Sequence, residues 1–277
     1  RPSTRHTETE VTLPLPTLFV PHGAPTFALQ PGTAGTALAA MAARLPRPRA
    51  IVVISAHWDT AEPAIGSDAG LRTVHDYWGF PDALYNIDYP ARGDTALAEA
   101  VRSALADAGF APQLVRHRGL DHGAWIPLRL MYPQADIPVV PLSLQSPLGP
   151  AHHLRLGRAL AALAQDDVLV VASGNLTHNL RDYQLARRDA TPPEYVGTFA
   201  DWIAARLDTR DVDALLDYRQ QAPEAVRAHP SEEHLLPLFV ALGAAGNDWR
   251  AERLHSGIDD HVLAMDSYAF WPQQEEA

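Results

Sequence analysis

Four short runs of apolar, largely β-branched residues constrain the fold of this chain more than any other feature. The runs are TLFV (17–20), AIVVIS (50–55), IPVVPLSL (137–144) and DVLVVAS (167–173). A strand with one solvated face alternates apolar and polar residues, whereas a nearly unbroken apolar run is typical of a strand covered on both faces. The four runs therefore predict a buried, mostly parallel sheet.

Stretches with helical spacing of apolar residues lie between and after these runs. They cover residues 36–45, 95–109, 152–165, 196–207 and 232–246, and Gly109 and Gly246 stand where helix C-caps belong. Strands that alternate with helices indicate an α/β sandwich, with a central, mostly parallel or mixed sheet flanked by helices. We expect residues 16–271 to form one catalytic domain, preceded by a polar tail of residues 1–15.

Composition excludes several classes of function. The formal net charge of −11 over 277 residues argues against a nucleic-acid-binding protein, whose surface would be basic. No apolar run approaches the roughly 18 residues of a membrane helix, and the polar start RPSTRHTETE lacks the apolar core of a secretory signal. The chain has no cysteine, which excludes disulfides and thiolate chemistry. We expect a cytoplasmic protein without nucleic-acid or membrane partners, and the sequence leaves a homo-oligomer open.

Three of the 13 histidines occupy the same position relative to a predicted strand. His22 follows the first run, His57 follows the second, and His178 lies a few residues after the fourth. A single histidine at such a place is more often a hydrogen-bonded structural residue. Ligands of open α/β sheets bind outside the carboxyl ends of the strands, however, so parallel strands would bring all three imidazoles to one edge of the sheet. Their shared position indicates a site.

Two further histidines are candidates for the same site. His122, in GLDHGAWIP, opens a predicted helix directly after Asp121, and His234 stands three residues after Ser231, a predicted helix N-cap. The free N–H groups at a helix start disfavour protonated imidazole, and a divalent metal needs the neutral form. Without cysteine a metal must be held by nitrogen and oxygen, which suits iron or zinc, although no compact motif such as HExxH is present.

The segment HDYWGFPDALYNIDYPARGD (75–94) is a predicted loop of unusual length and aromatic content. Long loops in compact domains usually serve as lids or binding loops. Ligand pockets are mostly apolar and lined by aromatic side chains, so Tyr77, Tyr85 and Tyr89 are candidate substrate contacts. Ordinary packing of the aromatic side chains is the alternative interpretation.

Taken together, six segments closely resemble the DODA-type (4,5-DOPA) extradiol aromatic ring-opening dioxygenases, relatives of the class III, protocatechuate-type enzymes. The segments are PTLFVPHGAPTFAL, VVISAHWDT, GFPDALYNIDYPARGD, GLDHGAWIPLRLMYPQADIPVVPLSLQ, SGNLTHNL and HPSEEHLLPLFVALGAAG. The resemblance extends from about Pro16 to Phe270. It implies one α/β domain and a mononuclear non-haem metal, Fe(II) in the active enzyme and often Zn²⁺ in purified samples. It also implies cleavage of a catechol ring by O2 next to the two hydroxyls.

The resemblance also implies roles for the five histidines. His22, His57 and His234 correspond to the metal ligands, with Glu233 as the alternative third ligand because protocatechuate-type enzymes use a glutamate. His178 corresponds to a histidine beside the metal that serves as a fourth ligand or as the acid/base, and His122 to a second pocket histidine. We expect His178 to accept and return the catechol proton, and His122 to orient the substrate or oxygen.

The sequence leaves two other functions open. Zinc in the same pocket would activate water, which would make the protein a metallohydrolase. A non-enzymatic interaction protein of the same superfamily is the second alternative, although it would have no need for five pocket histidines. The substrate is also open, and a DOPA-like amino acid or a phenolic acid would suit a catechol-cleaving enzyme.

Overall fold

The computed structural model describes residues 14–187 and 190–273. Ten strands occur in these residues: β1 (Thr17–Pro21), β2 (Ala50–Asp59), β3 (Ala64–Gly66), β4 (Gln113–Val115), β5 (Val139–Leu144), β6 (Val168–Gly174), β7 (Trp249–His255), β8 (Ile258–Asp259), β9 (Leu263–Ala264) and β10 (Ser267–Pro272). Eight of them form one sheet in the order β4-β3-β5-β2-β6-β1-β10-β7, while β8 and β9 form a small separate ribbon.

The four apolar runs form the centre of this sheet. Strand β6 lies between β1 and β2 and is parallel to both, and β2 is also parallel to β5. Every residue of β1, β5 and β6 is buried, as unbroken apolar runs require. Strand β10 then pairs antiparallel with β1, which makes the sheet mixed. The predicted single-domain α/β fold is confirmed.

Helices flank the sheet. The described residues contain α1 (Gly32–Arg44), α2 (Asp82–Tyr85), α3 (Thr95–Asp107), α4 (His122–Met131), α5 (Gly149–Ala164), α6 (Leu180–Leu185), α7 (Glu194–Asp208), α8 (Val212–Leu216), α9 (Tyr218–Gln221), α10 (Ala225–Ala228) and α11 (Leu236–Ala244). The predicted C-caps Gly109 and Gly246 have φ angles of 91° and 90°, a conformation that favours glycine after a helix end. None of the described helices is both long and apolar enough to cross a membrane.

Helix α11 is buried along its whole length and packs closely against α5. A Cβ atom on Gly157 would lie 2.1 Å from the carbonyl oxygen of Val240, and one on Gly243 would lie 2.1 Å from that of Leu154. Only glycine allows the two backbones to approach this closely. The contact fixes α11, and with it the turn that precedes the helix, against the carboxyl end of the sheet.

Two expectations about local structure were wrong. The predicted helix over 232–246 begins only at Leu236, because Pro237 lies in its first turn and a proline farther inside a helix would clash with the preceding turn. Ser231 is therefore not an N-cap, and its hydroxyl bonds to Glu233 instead. His57 lies within β2 rather than after it, in a section where the register with β5 shifts between Ile54 and Asp59.

The expected polar tail and the start of the expected domain lie at the beginning of the chain. Residues 1–13 of the predicted polar tail lie outside the described residues. The predicted boundary at residue 16 therefore stays a prediction.

Candidate metal centre

The five candidate histidines lie together at the carboxyl ends of β1, β2 and β6. They are His22, His57, His122, His178 and His234. The first follows β1, the second lies near the end of β2, the third opens α4, the fourth follows β6, and the fifth lies in the turn before α11. Parallel strands bring these separate parts of the chain to one edge of the sheet.

His22, His57 and His234 form a nearly equilateral triangle. Their ring centroids are 4.9, 5.1 and 5.0 Å apart, and the Nε2 atoms of His22 and His57 are 3.1 Å apart. Metal–nitrogen bonds of about 2.0–2.1 Å place two ligand nitrogens about 2.9–3.3 Å apart, depending on the coordination angle. The spacing of these two nitrogens therefore fits a shared metal ion.

A serine on β6 fixes the tautomer of His22. The Ser173 hydroxyl donates its single proton to the carbonyl oxygen of Gly123 at 2.5 Å, so its oxygen can only accept from His22 Nδ1, which lies 3.0 Å away. The proton of the ring is therefore on Nδ1, and the lone pair is on Nε2, which faces His57. An outer hydrogen bond of this kind orients a metal-binding imidazole and increases its basicity.

A second buried group supports the backbone that carries His57. Asp121 accepts a hydrogen bond from the Ser55 hydroxyl at 2.6 Å, and Ser55 in turn accepts one from the His57 backbone N–H at 3.2 Å. Arg118 contacts both the His57 carbonyl oxygen and Asp121. Burial raises the pKa of the Asp121 carboxyl, while the Ser55 hydrogen bond opposes that rise. Asp121 also caps α4, so one carboxyl links the strand to the helix.

His234 provides the clearest test of whether a metal fits. Both of its ring nitrogens are buried, and neither has a hydrogen-bond partner among the described residues. Burial, followed by the nearby His178, lowers the pKa of the ring well below its usual value, which keeps the ring neutral. Buried polar groups almost always have partners. A metal ion inside the triangle would provide the missing one.

The turn that carries His234 is held against the end of β6. The backbone N–H of Asn175 donates to the His234 carbonyl oxygen at 3.0 Å. A Cβ atom on Gly174 would lie 2.0 Å from that same oxygen, so the position has room only for glycine. The strand end that precedes His178 therefore also positions His234.

His178 lies flat against His234 on the side of the cavity. The two rings are parallel to within 4°, with centroids 3.4 Å apart. Burial lowers the pKa of His178 to about 4, although Glu233 partly counteracts this. Possible ligand atoms of His178, Glu233 and His234 all lie within 4.8 Å of one another, as do those of His22, His57 and His122. His234 and Glu233, the two alternatives for the third ligand, therefore lie close to His178, the acid/base candidate.

His122 is oriented by a carboxylate. Asp76 Oδ1 accepts hydrogen bonds from the backbone N–H and the Nδ1–H of His122, both at 2.9 Å. Burial alone would raise the pKa of Asp76, but these two hydrogen bonds lower it to about 2, so the group is ionised at neutral pH. Nδ1 of His122 therefore carries a proton, and Nε2 is the ring nitrogen that Asp76 does not engage. The centroid of this ring is 4.1 Å from that of His57.

A cavity of about 450 Å³ opens from the histidine cluster toward the surface. His57, His122 and His178 line its inner end. Its other walls consist of Tyr77, Trp78 and Phe80 of the long loop and of residues of α6, together with Pro25 and Leu263. Its volume is within the range of roughly 300–1,000 Å³ that is usual for small-molecule sites.

The three candidate tyrosines do not share one role. Tyr77 lines the cavity, and its hydroxyl donates to the carbonyl oxygen of Leu84 at 2.8 Å. Tyr85 and Tyr89 are not among the residues that line the cavity. Their hydroxyls donate to the carbonyl oxygens of Tyr77 and Tyr132 respectively. Both therefore pack and support the loop, and their positions do not support the prediction that they contact the substrate.

Sequence reasoning did not identify α6 as a wall of the cavity. Leu180, Tyr183 and Gln184 line it from one face of this helix, which Asn179 caps by accepting from the Asp182 backbone N–H. The signal was present, because residues at i, i+3 and i+4 share a helix face and a capping asparagine directly follows His178.

The chain is similar to known proteins over nearly its whole length. Residues 17–270 match the family described as the catalytic LigB subunit of aromatic ring-opening dioxygenase. The chain is 41% identical to a 4,5-DOPA dioxygenase extradiol of Beta vulgaris over 81% of this chain and 83% of the relative. It is 38% identical to a 4,5-DOPA dioxygenase extradiol of Escherichia coli K12, covering 83% of this chain and 85% of the relative.

A solved structure agrees with this result. The crystal structure of an uncharacterized protein of Escherichia coli K12 superposes with a TM-score of 0.76 at 32% sequence identity, covering 92% of this chain and 99% of that one. The fold, the histidine cluster and these similarities support a ring-opening dioxygenase over the hydrolase and interaction-protein alternatives. The chain belongs to the LigB family of aromatic ring-opening dioxygenases, and it is an extradiol dioxygenase.

Proposed function

We propose that the histidine triangle binds Fe(II) and that the enzyme opens the ring of a substituted catechol beside its two hydroxyls, incorporating both atoms of O2. The observation that carries the proposal is His234, whose two buried ring nitrogens lack a partner among the described residues. Its ring completes a triangle with His22 and His57, whose facing nitrogens already have the spacing of metal ligands. Zn²⁺ suits the same donors and would also bind.

The donor set leaves room for the reaction. Three imidazoles would hold the metal, and His57, one of them, lines the inner end of the cavity through which a substrate would reach it. When bound, Fe(II) supplies the redox chemistry between O2 and the ring, and the protein supplies binding, orientation and proton transfer. We assign His22, His57 and His234 as ligands, and keep Glu233 as the alternative to His234 because its carboxylate lies 3.5 Å from His234 Nδ1.

Proton transfer is assigned to His178. Its ring reaches the cavity, and burial keeps it neutral at pH 7, so it can accept a proton from a catechol hydroxyl and return it later. His122 presents Nε2 to the same space because Asp76 holds its Nδ1–H. We assign His122 to orienting the substrate hydroxyl or O2. Of the three tyrosines expected to contact the substrate, Tyr77 is the one that lines the cavity.

The names of the relatives bear on the substrate. Those named 4,5-DOPA dioxygenase extradiol are similar to this chain across most of its length, so the proposed substrates are a DOPA-like amino acid or a phenolic acid. A cytoplasmic location stays a prediction, supported by the absence of cysteine. The oligomeric state and the absence of nucleic-acid and membrane partners also stay predictions.

The test is anaerobic loading with Fe(II), followed by addition of catechols and then oxygen. We expect a yellow ring-opened product and matching O2 uptake. His57→Ala should lose both metal and activity, whereas His178→Ala should retain metal but lose turnover. His255→Ala, at a histidine that does not line the cavity, is the matched control and should behave as wild type. Bound iron with neither colour nor O2 uptake across the panel would contradict the proposal.

A further inference from the structure

We call the outer part of the cavity the slot. Its walls are formed by Leu180, Tyr183 and Gln184 of α6 and by Trp78 and Phe80 of the long loop. Trp78 and Leu180 are 87% and 59% exposed, so they lie at the mouth. A catechol whose hydroxyls reach the inner histidines would extend its ring substituent outward between these walls. The walls therefore contact the part of the substrate that distinguishes one catechol from another.

The described residues that line the slot carry no arginine or lysine side chain. All 22 basic residues of the chain are arginines, and none of the described residues that line the cavity is an arginine. Arg118 contacts the His57 carbonyl oxygen and Asp121. Arg227 lines a separate depression, where it is paired with Asp182 at 3.1 Å and stacks on the ring of Tyr195.

Among the described residues, Arg181 and Arg187 also lie in or just after α6. Arg181 follows Leu180 in the helix, and neighbouring helical residues point about 100° apart. It does not line the cavity, and Arg187 lines a separate surface depression. The described walls therefore offer a carboxylate no cationic partner.

Among the described residues that line the cavity, the fixed charge is negative. Asp76 lines the cavity and is ionised at neutral pH. The negative charge of Asp260 acts on the hydroxyl of Tyr183, in addition to the effect of burial, to raise its pKa. The whole chain carries a formal charge of −11, which also disfavours the approach of anions. An anionic substituent would lose water in this slot and gain no partner in exchange.

We propose that the slot selects catechols whose ring substituent has no net negative charge. This inference rests on the proposed function and narrows its substrate class. Uncharged catechols are accepted, as are zwitterionic DOPA-like amino acids, whose ammonium group balances the carboxylate and is favoured by the negative charge of Asp76, whereas phenolic acids whose carboxylate has no such counter-charge are disfavoured. Leu180, at the mouth of the slot, is the position where a charge would change this preference.

The test compares catechols that differ only in the charge of the substituent. The panel is 3-(3,4-dihydroxyphenyl)propanoate, its methyl ester, and L-DOPA, which adds an ammonium group to the propanoate. We expect kcat/KM for the ester to exceed that for the propanoate by about tenfold or more, the effect of one unpaired charged group. L-DOPA should also exceed the propanoate, because its ammonium group gives the carboxylate a counter-charge within the same molecule. Dissociation constants measured anaerobically on zinc-loaded protein should follow the same order.

A pair of variants tests whether the slot is responsible. Leu180→Arg introduces a cation into the wall and should raise kcat/KM for the propanoate relative to the ester by about tenfold. Leu185→Arg adds the same charge to the same helix, at a residue that is 68% exposed and does not line the cavity. It should leave the ratio near the wild-type value, so the comparison separates a local contact from a general change of charge.

The outcomes distinguish the two proposals. If the enzyme cleaves catechols but treats the propanoate as well as the ester, the charge selection is refuted and the proposed function stands. The same conclusion follows if Leu185→Arg changes the ratio as much as Leu180→Arg. If no catechol is cleaved by iron-loaded protein, the proposed function fails, and charge selection as a property of catalysis fails with it.

Discussion

Replacing Ser173 by alanine should weaken metal binding without removing any proposed ligand. The substitution deletes the acceptor for His22 Nδ1–H, at 3.0 Å, and the donor to the Gly123 carbonyl oxygen, at 2.5 Å. Both partners are buried, so each loses a hydrogen bond that water cannot readily replace. The expected loss in the free energy of unfolding is about 2 kcal/mol, since one buried unsatisfied group costs about 1–3 kcal/mol.

The loss of metal affinity in Ser173→Ala should be larger than the loss of folding stability alone explains. Without Ser173 the His22 ring is free to change tautomer and orientation, and loss of such an outer hydrogen bond reduces metal affinity by about 10–100-fold. The assay is a competitive titration with a chromophoric Zn²⁺ chelator at 25 °C, where the folded state predominates. Denaturant unfolding of the metal-free protein measures the stability separately.

Ser143 provides a matched control. It is a buried serine on β5, which β2 separates from β6 in the sheet. Its hydroxyl bonds to Thr60, Gln145 and the backbone N–H of Ala64. Ser143→Ala should cost a comparable amount of unfolding free energy and leave zinc affinity unchanged. Equal zinc affinity in Ser173→Ala and wild type would refute the role assigned to this hydroxyl.

Three further predictions follow from buried contacts. Gly174→Ala would place a Cβ atom 2.0 Å from the His234 carbonyl oxygen, so it should lower the free energy of unfolding by about 1–3 kcal/mol in a denaturation assay. Gly197→Ala is the control: its Cβ atom would meet nothing within 4 Å, so the substitution should be neutral or stabilising. Burial lowers the pKa of His153 to about 4, so the unfolded state binds more protons between pH 6.5 and 4, and stability should fall by about 3 kcal/mol as the pH falls through that range. In His153→Gln this contribution should be missing, and an unchanged slope of unfolding free energy against pH would contradict the assignment. Asp76→Asn should lower kcat about tenfold, because Asp76 orients the ring of His122, and should leave metal content at the wild-type level, because His122 is not a proposed ligand. Measurements of O2 uptake and metal content check this. Wild-type turnover in the variant would count against the prediction.

The parts of the fold that could be predicted are those with a strong local signal. Unbroken apolar runs identified β1, β2, β5 and β6, and histidines just beyond or near their ends pointed to one edge of the sheet. The glycines after α3 and α11 marked helix ends correctly. These signals depend on periodicity and on single-residue conformational preferences, both of which can be read without knowing any long-range contact.

The parts that could not be predicted depend on contacts between distant residues. The sequence does not show that Asp76 bonds to His122, or that Ser173 bonds to His22 from a position 151 residues away. Aromatic content alone also could not separate Tyr77, which lines the cavity, from Tyr89, which is buried against the backbone of Tyr132. The start of α11 was mispredicted because the effect of Pro237 on the helix was overlooked.

His22 follows β1, a strand whose two neighbours in the sheet, β6 and β10, come much later in the sequence. Strand β1 pairs with β6, and its other neighbour is β10, so the sheet around it cannot close until residues 267–272 are available. Pairings this distant in sequence fold slowly, and an unpaired apolar strand invites aggregation. A metal ion stabilises only chains in which the triangle has formed. Metal binding should therefore distinguish complete chains from truncated ones, and cells that overproduce the protein under iron or zinc limitation should accumulate it in insoluble form.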